Sequence, residues 1–185
     1  VRLHSAVDLD GQPSEKVMRY AHLNAVFESG FVNPIDAAIR AQCTFDVSAF
    51  EKRDEIPYDF IRKRLSVLVA EGNRCLLITK GAVATVLQAC TQIEMASGEQ
   101  IGVQEGAARA QRLFEELSGK GYRTLGVAYR ELKPCARITK GDEADLIFLG
   151  FLVVHDPPKA NVGETVRRLA RLGIRLKMIT GDNRL

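Results

Sequence analysis

Tryptophan is absent and aromatic residues make up only 6% of the 185-residue chain. The few aromatics do not interleave with the basic side chains, which argues against a stacking platform for nucleic acid. No apolar run approaches the roughly 18 residues that cross a bilayer, and no signal-like apolar block follows the N-terminus. The four cysteines (Cys43, Cys75, Cys90, Cys135) form no CxxC pair, and His4, His22 and His155 are equally scattered. A closed zinc site needs at least one short ligand spacing, so a structural metal is not expected, and the cysteines read as reduced, mostly buried thiols. The GxxxxGK[ST] arrangement of a P-loop is missing too.

What is present is a globular composition. Apolar residues amount to 46% and charged residues to 26%, enough for one domain or one and a half with a genuine core. The net charge is +3. Between Lys159 and Lys177, six basic residues face one acid, Glu164. That block reads either as a solvated helix face or as a surface that meets phosphate.

Along the chain, Ser14 caps a helix running to about Ser29, with Val17, Ala21, His22 or Ala25, and Val26 on its buried stripe. Asn33-Pro34-Ile35-Asp36 starts a second helix ending near Gln42, in which Asp36 gains from the helix dipole. Strands are expected over 50–56, 65–70 and 75–79, with a hairpin turn at Glu71–Arg74 and a break at Gly81. A short helix over 82–90, an amphipathic helix over 103–118, and strands over 123–130 and 145–154 follow. After Asp156-Pro157-Pro158, a helix over 160–172 and a strand over 174–179 complete a parallel βαβ pattern. The fold class is therefore α+β: an antiparallel sheet flanked by helices over 10–148, then an incomplete α/β segment over 149–185, with 1–9 as a connector. The last strand should feed a further helix, so the sequence is expected to be a piece of a longer protein.

Three places are suited to ligand chemistry. Tyr58 and Phe60 precede the basic run Arg62-Lys63-Arg64, so a ring could stack on a planar base while a lysine meets an anion. The alternative is a pair of ordinary core or edge aromatics. Lys80-Gly81-Ala82 lies at a strand-to-helix junction, where Gly81 permits close approach to the backbone; a simple turn is the other reading. Asp156…Lys159 and Thr180-Gly181-Asp182 each follow a predicted parallel strand, and their charges suit a phosphoryl group with Mg²⁺. No nucleophile is supplied there.

Together, Glu55–Tyr58, Lys80–Ala82, Gly121–Leu125, Asp156–Lys159 and Met178–Asn183 resemble the cytoplasmic headpiece of P-type cation-transporting ATPases. Asp54–Val69 and Gly30–Ile39 are most similar to the bacterial magnesium-transporting subfamily. The resemblance implies a nucleotide-binding domain (10–148) followed by part of a haloacid-dehalogenase-like phosphorylation domain (149–185). It further implies that Tyr58, with Phe60 as second choice, stacks on the adenine of ATP, and that Asp36 nears its amino edge. Lys63 would point to the phosphates, Lys80 and Gly81 would line the pocket, and Arg123 would approach the phosphate chain. Asp156 and Lys159 would form the hinge, while Thr180 and Asp182 approach the transferring phosphate, with Mg²⁺ bound in the intact protein. The DKTGT and GDGxND motifs are absent and are expected before Val1 and after Leu185. This piece would then bind ATP weakly without hydrolysing it. Its partners would be the actuator, transmembrane and remaining phosphorylation domains at the cytoplasmic face of the inner membrane, with no nucleic acid involved and the oligomeric state open.

Overall fold

The structure, a computed structural model, describes residues 1–30, 33–157 and 161–177. Its organising element is one mixed sheet. The strands are β1 (Arg2–Val7), β2 (Glu51–Asp59), β3 (Arg64–Glu71), β4 (Arg74–Ala82), β5 (Cys90–Glu94), β6 (Gln100–Gly102), β7 (Arg123–Leu132) and β8 (Leu146–His155). They are ordered β2-β3-β4-β7-β8-β5-β6, with β1 also on β8. Among the described residues only β5 and β8 pair in parallel, and every other strand pair is antiparallel. This is the α+β fold with a mainly antiparallel sheet that the pattern predicts.

β8 is the centre of the sheet. β7 runs along one edge, while β5 occupies Leu146–Phe148 and β1 occupies Phe151–His155. The hand-over falls at Gly150, where an added Cβ would collide with the Val7 carbonyl oxygen. A side chain there would push β1 off the sheet.

Helices cover both faces. On one side, α1 (Glu15–Phe27) and α2 (Pro34–Gln42) pack Val17, Ala21, Ala25 and Ile39 onto Leu65, Val67, Ile78 and Leu152. On the other, α3 (Val83–Leu87) and α4 (Val103–Gly119) pack Val86, Ala110 and Phe114 onto Leu68, Leu77, Phe148 and Phe151. The caps are those the sequence announces. Ser14 Oγ accepts from the Val17 amide at 3.3 Å, and Asn33 Oδ1 accepts from the Ile35 amide at 2.9 Å, with Pro34 opening the helix.

Several expectations are corrected. β4 does not break at Gly81, because that residue pairs with Arg64 on one side and Gly126 on the other. β1, β5 and β6 are strands without a sequence signal: β5 has 5 residues and β6 only 3, too short for a period to show. β8 runs unbroken across positions 148 and 149, with 149–154 in the main sheet, and residues 2–7 form β1. The helix near 160–172 is present as α5 (Val162–Arg171), but 174–177 form no strand; 178 and 179 lie outside the described residues. Both edges of β8 are already taken, so a parallel neighbour following α5 has nowhere on it to pair.

Candidate functional site

The β2–β3 hairpin builds one wall of the site. At its tip, Asp59 accepts from the amides of Ile61 (2.7 Å) and Arg62 (3.2 Å). Those backbone bonds, with Lys140 adding its charge, pull the Asp59 carboxyl down to about 2. The turn leaves Lys63 exposed with φ 50, its carbonyl accepting from the Ala82 amide at 2.9 Å. Gly81 lies directly beneath, and a Cβ there would strike that same carbonyl. Bare backbone at position 81 is thus what lets the hairpin close against β4.

Tyr58 and Phe60 are not core residues. They are 50% and 85% exposed, and their rings meet edge-to-face with centroids 5.4 Å apart. They stand at a cleft of about 340 Å³ between β2 and the α1–α2 connection, whose other walls include Glu28, Asn33, Pro34, Ile56 and Leu65. That volume lies within the range of small-ligand pockets. Glu55, on the same wall, accepts from Lys52 at 2.8 Å and from the Ser29 amide at 2.9 Å. Burial pushes the Glu55 carboxyl upward, but those hydrogen bonds outweigh it and hold the group below its ordinary value.

Asp36 and Lys80 are brought together, but not onto the cleft wall. Leu76, Ile78 and Lys80 alternate onto the β4 face that α1 and α2 cover, so the ammonium enters the core. There it pairs with Asp36 Oδ1, in the first turn of α2; both side chains are buried. A buried ammonium needs such a partner, which gives both residues a structural role.

Arg123, the first residue of β7, is exposed, and its charge acts on Asp156. Asp156, just beyond β8, is exposed as well. Neither Lys63 nor Arg123 lines the cleft. All of these residues nevertheless gather at one end of the sheet: Arg64 pairs with Gly81, Gly81 with Gly126, and Arg123 lies three residues before Gly126. Tyr58 on β2 and Arg123 on β7 are three strand spacings apart across the sheet, about 14 Å, and staggered by about four residues along it. Lys159, Thr180, Gly181 and Asp182 fall outside the described residues. Among the described residues, no three His, Cys, Asp or Glu side chains gather as a metal would require.

Two groups have no sequence signal. Glu28 lines the cleft from the end of α1. Glu143, from the loop before β8, is buried beneath the hairpin, where it accepts from Arg62, from Arg64 Nε (3.1 Å) and from Ser66 Oγ (2.6 Å). Ser66 Oγ also lies 2.7 Å from Thr79 Oγ1. Nothing in the local sequence marks either glutamate, because their partners arrive from other elements.

The sheet is thus mainly antiparallel, and its β2–β3 hairpin holds an exposed aromatic pair over a cleft with cations at the same sheet end. The family profile described as P-type ATPase, cytoplasmic domain N matches residues 27–161, and the chain belongs to that family as an ATP-binding cytoplasmic domain.

Its relatives include the "Magnesium-transporting ATPase, P-type 1" of Salmonella typhimurium, 34% identical over 192 residues, and that of Escherichia coli K12, 34% identical over 193 residues. Each alignment covers 99% of this chain and 21% of the relative. The "Calcium-transporting ATPase" of Bacillus subtilis is 29% identical over 177 residues, covering 95% of this chain and 18% of the relative. The chain thus spans about a fifth of the length of these relatives. No helix among the described residues is long and apolar enough to cross a membrane.

Proposed function

We propose that the cleft receives the adenine of ATP against the Tyr58 ring, with the triphosphate running along the sheet end toward Lys63 and Arg123. The exposure of Tyr58 and Phe60 at the cleft carries this reading: solvated rings there cost hydrophobic free energy unless a planar partner covers them. Tyr58 offers the stacking face, and Phe60 steadies it edge-on. Lys63 supplies a mobile cation for the phosphates, while Gly81 keeps the backbone beneath it close. Lys80 acts through Asp36, fixing the start of α2 behind the cleft.

In the parent polypeptide, the chain would deliver ATP to an aspartate whose motif is not in this sequence. Asp156 and Lys159 would form the hinge toward the phosphorylation domain, Thr180 and Asp182 would approach the transferring phosphate, and Mg²⁺ would accompany the nucleotide. In this reading the division between the two domains, expected at 148/149 from the sequence, would follow β8. The parent would be a cation pump at the cytoplasmic face of the inner membrane. Magnesium is the transported ion we favour, on the names of its relatives. The chain by itself would bind ATP and hydrolyse none.

Isothermal titration tests the site. Tyr58→Ala should weaken ATP by about 1–3 kcal/mol while far-UV circular dichroism stays unchanged. Equal affinity in the variant would remove Tyr58 from the site. Metal-dependent phosphate release above background would refute the claim of inactivity.

A further inference from the structure

We propose that Glu143 is a positioning residue of the nucleotide site: it withholds Arg62 and Arg64 from the phosphates, so that Lys63 is the one cation of this run that meets them. The inference rests on the nucleotide reading above and adds the group that limits how tightly the triphosphate is held.

Arg62, Lys63 and Arg64 are consecutive, yet their charged ends go to different places. Both guanidinium groups turn inward onto the Glu143 carboxylate, which is removed from solvent, and the two arginine side chains are only 15% and 16% exposed. Arg64 Nε donates to Glu143 Oε2 at 3.1 Å, and its Nη1 donates to the Thr85 carbonyl at 2.7 Å. Arg62 donates to the same Oε2 and, through Nη2, to the Pro57 carbonyl at 2.9 Å. Glu143 Oε1 accepts from Ser66 Oγ at 2.6 Å, so both carboxylate oxygens are engaged. Lys63 stands between the arginines at φ 50 with its side chain exposed, and it pairs with no acid among the described residues.

The segment that carries Glu143 is itself pinned to the hairpin. The Ile138 amide donates to Asp54 Oδ2 at 2.8 Å, and Lys140 Nζ lies 3.3 Å from Asp59 Oδ2. Between them the Thr139 amide donates to Asp142 Oδ2 at 2.7 Å, closing the turn that ends at Glu143. A carboxylate delivered so firmly into a buried place keeps its guanidinium partners, because withdrawing one strands charge away from water. The planar arginine forks suit that shared carboxylate, whereas the lysine is a flexible point charge suited to a phosphate in solvent. Three free cations on one tip would grip a triphosphate and a diphosphate alike. A single ammonium leaves the nucleotide exchangeable.

The test titrates this chain with ATP and with adenosine at low salt and reads the ratio of the two affinities, which isolates the phosphates. Glu143→Gln keeps an oxygen for Ser66 but gives up the charge that holds the arginines, so the ratio should rise about fivefold. A merely structural role predicts the opposite, since a loosened hairpin lowers the ratio or weakens both ligands together. Lys63→Gln should lower the ratio in wild type and cost clearly less beside Glu143→Gln, where a released arginine takes its place. A ratio that stays or falls in Glu143→Gln, or an equal cost of Lys63→Gln in both backgrounds, overturns the inference. Wild-type ATP binding and its loss in Tyr58→Ala would then leave the nucleotide reading standing, whereas a wild type that takes up neither ligand overturns both. Should Glu143→Gln fail to fold by circular dichroism, the Nε–H resonances of Arg62 and Arg64 in the wild-type chain decide. They should stay in place when ATP is added, and a shift with ATP that adenosine does not produce overturns the inference.

Discussion

Glu143 shows how much one side chain contributes to placing the hairpin. Its carboxylate is removed from solvent and engages two guanidinium groups and the Ser66 hydroxyl, while Arg62 also donates to the Pro57 carbonyl at 2.9 Å and Arg64 to the Thr85 carbonyl at 2.7 Å. Glu143→Ala leaves two arginines without the buried carboxylate they share and Ser66 with Thr79 as its remaining side-chain partner. We expect a loss of about 3 kcal/mol in urea unfolding, since breaking a largely buried ion pair strands its partners. A loss under 1 kcal/mol would mean that solvent already neutralises them. At this scale the sequence is partly transparent. Tyr58 and Phe60 can be picked out because aromatic rings beside a basic run are a local pattern. Glu143 cannot, because Ser66 lies 77 positions away.

Among the elements, those with local chemistry are the ones that can be read in advance. α1 and α2 start where side-chain oxygens cap their first turns, and the β3–β4 hairpin turns where Gly72 adopts φ 59. β5 and β6 escape notice because their stability comes from pairing with β8 and with each other. β4 carries a glycine at position 81 because the Lys63–Arg64 segment of the neighbouring hairpin approaches it too closely for any side chain. Gly81→Ala should therefore cost about 1–3 kcal/mol through forced separation of the hairpin from β4. It should also weaken ATP, since the Lys63 backbone must move. Thermal unfolding and titration of the same variant check both effects; a variant with wild-type stability would show that the hairpin tip yields freely.

For the molecule as a whole, the contrast lies between the sheet and α5. β7 and β8 are bracketed by helices on both faces, whereas α5 has no buried residue and Val162 and Val166 are each 43% exposed. Hydrogen exchange should find β8 amides opening only with global unfolding and α5 amides exchanging by local opening. Equal protection in both would contradict the exposed placement of α5. The sequence by itself determined the helix starts, the β3–β4 hairpin and the neighbourhood of an aromatic pair and a basic run, because caps, alternation and turns act over a few residues. Tertiary structure decided that 149–154 complete the sheet, that Lys80 and Asp36 neutralise each other inside it, and that Glu28 faces the cleft. Those outcomes depend on which strand edges are free and which charges share a buried volume, and both are fixed only when distant segments meet.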